Sequence, residues 1–443
     1  MAKYKAYPEY KDSGVEWLGM VPSHWNIKRL GQLFEERRDK VSDKDYPPLS
    51  VTMQGIVPQI DTAAKTDAGD NRKLVLKNDF VINSRSDRKG SSGVSQLNGS
   101  VSLISIVMEP KRINPKFAHH LLRSYPFQEE FYRYGKGIVA DLWSTNSSEM
   151  KNILIPELAD DESNAIACFL DHETAKIDNL IEKQQLLIEL LKEKRQAVIS
   201  HAVTKGLNPD VPMIDSGVEW LGEIPQHWGV TRLKYECRNI VDCPHSTPNY
   251  TDEGEYPAIR TADILAGYLD LENCRRVTEP VYDETNFRLI PKAGDIIYSR
   301  EGERFGIGAP IPEGVKVCLA QRVMLFRAKS TPGYLMWALN SSSTYTQAQQ
   351  DCIGSTSPHV NVDTIKNFIL AWPPENEREE ISKFIHQTLD SVESLTAHLT
   401  EKLTLLQERR TALISAAVTG KIDVRDWVAP DTQDVEASQE ATA

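Results

Sequence analysis

The sequence is poor in the features that usually mark a catalytic chain. Its six cysteines, Cys168, Cys237, Cys243, Cys274, Cys318 and Cys352, form no Cys-x-x-Cys pair. Zinc ribbons and thioredoxin-like sites are therefore unsupported, and reduced cysteines are expected. No apolar run approaches the ~18 residues of a membrane span; the strongest, residues 101–108, is strand-sized. Met1-Ala2-Lys3-Tyr4 opens no apolar stretch of the signal-peptide kind. The expectation is a soluble cytoplasmic protein that does not engage membranes.

Catalytic signatures are missing as well. There is no Gly-x-x-x-x-Gly-Lys-Ser/Thr loop; Gly135-Lys136 and Gly420-Lys421 lack the upstream glycine. Gly306-Ile307-Gly308 is only a two-glycine fragment, and no His-Glu-x-x-His occurs. Gly90-Ser91-Ser92-Gly93 has the wrong spacing for a nucleophile elbow. The Asn/Asp-Pro-Pro-Tyr/Phe motif of methyltransferases acting on exocyclic amines is absent, Asn208-Pro209-Asp210 being the nearest approach. No acidic cluster at nuclease spacing is found. A binding protein is expected, with no metal and no cofactor of its own.

Net positive charge is lacking too, at −12 overall. Phosphate binding wants Lys and Arg, but the charge is uneven. Residues 26–150 carry 19 basic against 15 acidic residues, a net +4, and residues 229–372 carry 15 against 17, a net −2. Residues 156–211 and 373–443 carry the largest net negative charge, at −5 and −7. DNA binding would need a locally basic face or a basic partner.

What is present is a duplication. Asp12-Ser13-Gly14-Val15-Glu16-Trp17-Leu18-Gly19 recurs as Asp215-Ser216-Gly217-Val218-Glu219-Trp220-Leu221-Gly222. Val21-Pro22-x-His24-Trp25 answers Ile224-Pro225-x-His227-Trp228, and Arg29-Leu30 answers Arg232-Leu233. Each half also closes alike: Lys194-Arg195-x-Ala197-Val198-Ile199-Ser200-x-Ala202-Val203-Thr204 answers Arg409-Arg410-x-Ala412-Leu413-Ile414-Ser415-x-Ala417-Val418-Thr419. Weaker matches join 150–155 to 365–370 and 79–85 to 295–300. Matched ends imply shared architecture; diverged middles imply that each half recognises something different.

The middles, about 26–155 and 229–372, read as mixed α/β. Short apolar strands are expected at 80–83, 100–108, 295–299 and 315–326, and helices at 115–132 and 333–350. After Pro156 and Pro374 the pattern turns helical, opened by Asp160-Asp161-Glu162 and Glu375-Asn376-Glu377, acidic first turns that suit a helix N-terminus. Ile177, Leu180, Ile181, Leu187, Ile188, Leu191, Val198 and Ala202 then recur at 3/4 spacing, as do Val392, Leu395, Leu399, Leu403, Leu406, Leu413 and Ala417. This predicts long helices packed on helices, spanning ~40 Å over 177–203, close to the ~34–36 Å turn of B-DNA. A surface helix packing on its own domain is the plainer alternative. Residues 428–443 read as a disordered acidic tail.

The matched segments resemble the specificity subunit of type I restriction–modification systems. Three features carry the likeness: Asp-Ser-Gly-Val-Glu-Trp-Leu-Gly-x-x-Pro-x-His-Trp at 12–25 and 215–228; the run Arg409 to Arg425; and Asp242-Cys243-Pro244-His245-Ser246-Thr247-Pro248-x-Tyr250 followed by Ile259-Arg260-Thr261-x-Asp263-Ile264. The resemblance implies an α+β chain with two α/β target-recognition domains, separated by two long helices that form an antiparallel coiled coil with a pseudo-twofold repeat. The segments would be a first recognition domain (1–155), a helical region (156–211), a second recognition domain (212–372), a second helical region (373–427) and the tail. It further implies a bipartite double-stranded DNA target and docking of two methyltransferase subunits and of restriction subunits. S-adenosylmethionine, ATP and Mg would sit on those partners. The first half departs from the pattern by ending Thr204-Lys205-Gly206-Leu207, and it has Asp45-Tyr46-Pro47-Pro48 in place of the Pro-His-Ser-Thr-Pro segment.

Major-groove reading uses Arg for guanine and Asn or Gln for adenine. Candidate DNA contacts in the first half are Asn83, Ser84, Arg85, Arg88, Lys89, Lys136 and Asn146; in the second they are His245, Thr247, Arg260, Arg300, Arg304, Ser355, Thr356 and His359. The 83–90 loop could equally be plain solvated surface, a structural hydrogen bond in a turn is the plainer reading of His245, and the Gly/Ser-rich loops carrying Lys136, Asn146, Ser355, Thr356 and His359 suit phosphate contacts. The four repeated tryptophans, Trp17, Trp25, Trp220 and Trp228, are expected to be core anchors, since the two halves should read different bases. Ile177, Leu180, Leu187, Leu191, Val198, Val392, Leu395, Leu399, Leu406 and Leu413 are the expected coiled-coil and partner positions. The competing reading is a duplicated coiled-coil scaffold that never touches DNA.

Overall fold

The computed structural model describes residues 4–60, 69–137, 143–244, 246–302, 304–352 and 359–428. The chain forms two compact units, Met1–Gln185 with Glu401–Ala443, and Leu186–Thr400. The division runs through both long helices, so each unit holds one α/β body and part of each helix.

In the first unit a four-stranded antiparallel sheet has the order Ser92–Val94, Phe80–Asn83, Ser105–Pro110, Phe34–Glu36. Its inner strands are apolar on both faces because both faces are covered. Phe80, Ile82, Ile106 and Met108 face a core with Phe117, Leu121, Phe127 and Phe131. Val81 and Val107, one residue out of phase, face a second cluster with Leu49, Val75 and Val101. Full burial of such a side chain contributes roughly 1.5–3 kcal/mol. The second unit repeats this plan in the order Cys237–Asp242, Val323–Ala328, Ile296–Ser299, Gly308–Pro310. There Ile296, Tyr298, Met324 and Phe326 face one core, and Ile297, Val323 and Leu325 the other.

Two expected strands are each broken in two. The 100–108 stretch turns at Ser102, whose carbonyl accepts the Ser105 N–H at 3.0 Å. Gly99–Val101 joins a small three-stranded sheet, while Ser105–Pro110 joins the large one. The 315–326 stretch breaks at Arg322, where φ is 70°. Cys318–Leu319 pairs parallel to Tyr256–Ile259, and Val323–Ala328 continues in the large sheet. Each expected helix is likewise a pair, Pro115–Arg123 with Tyr125–Arg133, and Pro332–Leu339 with Ser342–Gln350. The first pair bends at Ser124, whose hydroxyl oxygen accepts the Phe127 N–H.

The two long helices, Asp160–Lys205 and Glu375–Val418, are uninterrupted over 46 and 44 residues. The acidic turn and the amphipathic run are one element, longer than the 177–203 span read from the pattern. Buried or half-buried positions step by four and three along the first: Leu170, Thr174, Ile177, Ile181, Gln184, Ile188, Leu191, Arg195, Val198, Ala202. The second runs Ile385, Leu389, Val392, Thr396, Leu399, Leu403, Leu406, Arg410, Leu413, Ala417. This is the heptad seam of a coiled coil. In the first unit Ile177 shares a core with Leu406 and Leu413. The pairing is antiparallel: Asp178 bonds Arg410, while Phe169 meets Trp427 further along. In the second unit Ile188 and Leu191 pack with Val392 and Leu399. Leu180, Leu187 and Leu395 lie off the seam and are 45%, 38% and 45% exposed, because Ile181, Ile188 and Thr396 take the inward positions.

The repeated Pro-x-His-Trp segment anchors each body to a helix N-terminus. Glu162, buried in the first turn, accepts the Trp25 Nε1–H at 3.0 Å and the Tyr7 hydroxyl at 2.7 Å, with His24 Nε2 at 2.8 Å. Glu377 accepts the Trp228 Nε1–H at 2.9 Å, with His227 Nε2 at 2.7 Å. The far side of each indole packs on a helix C-terminus. A Cβ on Gly420 would lie 3.0 Å from Trp25, and one on Gly206 would lie 3.1 Å from Trp228; both glycines have positive φ, 74° and 79°. The order Lys205-Gly206 against Gly420-Lys421 thus preserves the same left-handed cap. Trp25 and Trp228 are anchors, as expected, while Trp17 and Trp220 are half-buried.

Candidate nucleic-acid interface

In the first unit the strand Phe80–Asn83 runs into a short turn at Ser86–Arg88. The loop is tied from several sides. Asn83 Oδ1 accepts the Arg85 backbone N–H at 3.1 Å, and the Tyr132 hydroxyl donates to the Asn83 carbonyl at 3.2 Å. The Ser86 N–H donates to the Trp143 carbonyl at 2.8 Å, and the Thr145 N–H to the Ser84 carbonyl at 2.9 Å. These bonds shape an open cleft of about 570 Å³ lined by Asn83, Arg85, Asp87 and Arg88, with Gln59 and Arg72 opposite.

The candidates of this half separate by role. Arg85 and Arg88 are exposed at the cleft, Arg88 with Asp87 at 3.7 Å. Asn83 is buried and serves the loop, and Ser84 acts through its backbone. Lys89 is paired with Glu129, and Lys136 with Glu149 at 2.6 Å. Asn146 caps the helix Ser147–Asn152 by accepting the Glu149 N–H at 2.9 Å. Arg72 is a structural cation. It donates to Ser100 Oγ at 2.9 Å and to the Ser100 carbonyl at 3.0 Å, and burial lowers its pKa.

In the second unit two candidate arginines are tied to acids of their own body. Arg300 is buried, with Asp242 at 3.1 Å and Glu301 at 2.9 Å. Arg260 grips Asp263 through two bonds of 2.9 and 2.7 Å, which raise its pKa. Neither guanidinium stands open for a base, because a nearby carboxylate already satisfies its fork. Arg304 is exposed and donates to the Ala262 carbonyl at 2.8 Å. Thr247 is exposed, and His359 is half-buried across from Glu301. His245, Ser355 and Thr356 lie outside the described residues.

The two loops are equivalent position by position. Arg85 pairs with Ser144 through a lone antiparallel bridge, and Glu301 with His359 in the same way. Sequence reading missed Gln59, which reaches the cleft from beyond the hairpin Leu49–Thr52/Gly55–Pro58, and Arg322, which stands 3.4 Å from Glu301. Gln59 carries no local signal, since only the fold brings it across. Arg322 sits at a strand break marked by its left-handed backbone.

The family description "Type I restriction modification DNA specificity domain" matches residues 241–405. The chain is 24% identical over 349 residues to the type I restriction enzyme EcoKI specificity subunit of Escherichia coli K12, covering 76% of this chain and 72% of that one. It is 22% identical over 424 residues to the MjaVIII specificity subunit of Methanocaldococcus jannaschii, covering 92% and 95%. In fold it is similar to a chain from a study of complex assembly and conformational transition of the type I R-M system, with a TM-score of 0.67, 14% identity, and 91% and 99% of the two chains covered. It is also similar to the HsdS subunit of Thermoanaerobacter tengcongensis, with a TM-score of 0.51, 16% identity, and 91% and 98% covered. Residues 241–405 thus match a type I restriction modification DNA specificity domain, and over most of its length the chain is similar in sequence to specificity subunits of type I restriction enzymes and in fold to the HsdS subunit.

Proposed function

We propose that each unit reads one half of a split double-stranded DNA target, and that the chain docks methyltransferase and restriction subunits onto that site. On this reading the chain supplies the address. Adenine methylation with S-adenosylmethionine, and ATP- and Mg-dependent restriction, belong to the partners. The length of the two helices would set the number of base pairs between the half-sites.

One observation carries the reading. The units share their frame down to the His-Trp clamp on a helix-opening glutamate, yet differ in charge at the matched loop position, Arg85 against Glu301. A scaffold has no use for that difference, whereas two readers of different bases require one. The net charge of −12 adds that firm DNA binding draws on the basic surface of the partner subunits.

The test is the host methylome with and without the gene. One bipartite adenine motif is expected to lose its methylation, and an unchanged methylome in a strain with active methyltransferase subunits sinks the reading. Exchanging residues 26–155 for those of a relative is expected to alter one half of the motif only. A scaffold would leave the motif untouched.

A further inference from the structure

Arg85 and Glu301 occupy the same place in their units, but their side chains are engaged differently. Glu301 is held between Arg300 at 2.9 Å and Arg322 at 3.4 Å. Arg85 is exposed, and among the described residues no acid pairs with its guanidinium. Its backbone is fixed by the Asn83 Oδ1 bond and by the bridge to Ser144, so the fork is free while its base is rigid. A planar fork on a rigid base is preorganised for a bidentate acceptor.

That acceptor could be a phosphate or a base edge, and the cleft decides between them. Phosphate contacts need donors alone. This cleft sets acceptors beside the donors: Asp87, its side chain 43% exposed and only loosely met by Arg88 at 3.7 Å, and the amide of Gln59. A carboxylate two residues from Arg85 repels a phosphate but accepts an exocyclic amine. A G·C pair presents that combination in the major groove, with guanine O6 and N7 as acceptors beside the cytosine N4 amine.

Building on the DNA-reading function proposed above, we infer that Arg85 is the guanine-reading residue of the half-site addressed by the first unit, and that Asp87 accepts the cytosine amine of the same pair. The second unit reads its half-site by other groups, because its matched side chain is spent inside the body.

The experiment uses the full chain co-expressed with its methyltransferase subunits, with modified positions read by long-read sequencing. R85A is expected to open one guanine position of one half-site to other bases, with discrimination there falling tenfold or more. The other half-site stays as it was. R85K keeps the charge but loses the fork, and is expected to open the same position. An R85A motif identical to wild type overturns the inference. So does uniform loss of methylation by R85A that R85K restores, which marks a phosphate contact. A first-unit half-site without guanine, assigned by the 26–155 exchange, also overturns it. If the wild-type complex directs no bipartite motif, DNA reading itself fails, and this is visible before any variant is made.

Discussion

The two units solve one packing problem with the same acid and different cations. Asp79 and Asp295 sit at equivalent turns before the central strand; each accepts a backbone N–H three residues upstream, Leu76 and Lys292, at 2.8 Å. Both are buried, at 2% and 4% exposed. In the first unit the neutralising guanidinium is Arg37, just past the edge strand. In the second it is Arg327, on the neighbouring inner strand. Because Met108 faces Phe80 and Phe326 faces Ile296, Arg327 stands where the first unit has Glu109. A buried carboxylate that also closes a turn cannot be dropped, but its counter-ion can arrive from any strand in reach. The same logic separates frame from surface elsewhere: the Trp-to-Glu clamp persists, while Arg85 and Glu301 part ways.

The largest effect should follow from removing that acid. Asp79→Ala and Asp295→Ala each leave a turn N–H unsatisfied and take the nearest acid from a largely buried guanidinium, Arg37 keeping Glu109 at 3.1 Å, and each is expected to lose about 2–3 kcal/mol in urea unfolding of the full chain. A mild effect at one site and a severe one at the other would break the equivalence of the two frames.

Much of this frame is legible in the sequence, and the limits of legibility are physical. The strand Phe80–Asn83 stands out because it is buried on both faces and therefore apolar throughout. The long helices stand out by length and caps, but the phase of their seam does not. Thr174, Gln184, Arg195, Thr396 and Arg410 occupy inward positions, so leucine content favours Leu180, Leu187 and Leu395, which point outward. In the loops, position is readable and engagement is not. The acid that claims Arg300 is Asp242, 58 residues away, whereas Arg85 looks the same in sequence and stands free.

A second contrast involves protons. His119 lies beside Arg123, Arg410 and Asp171 at a cleft of about 490 Å³ in the first unit, where the second unit carries Met336 at the equivalent helical position. Burial, and then the positive charges of Arg123 and His120, lower its pKa from 6.5 to about 3. A base whose folded pKa is depressed keeps its full contribution above pH 6.5, and stability falls as pH drops from there toward 3. At 1.36 kcal/mol per unit, the loss by pH 5 is roughly 2 kcal/mol. His119→Met copies the other unit and is expected to remove that slope between pH 7 and 5 in urea unfolding. Equal slopes for wild type and variant would show that the asymmetry lies elsewhere.

The smallest effect belongs to the feature most faithfully duplicated. Each unit ties its two long helices with one copy of the same ion pair: Asp178 to Arg410 at 2.7 and 3.1 Å, and Glu393 to Arg195 at 3.5 Å. Both acids are half exposed, at 50% and 51%, so water and salt screen the attraction. Asp178→Ala is expected to cost about 0.5 kcal/mol and Glu393→Ala less, both vanishing near 1 M salt. Arg195 also donates to the Ala266 carbonyl in the α/β body of its unit. Arg195→Ala should therefore cost more than Glu393→Ala, by about 1 kcal/mol for the lost hydrogen bond. If the double-mutant coupling of Arg195 with Glu393 instead exceeds about 1 kcal/mol, the pair is a clamp. If it stays below, faithful repetition of the pair marks register between the helices, since only one alignment brings both copies of the acid opposite an arginine.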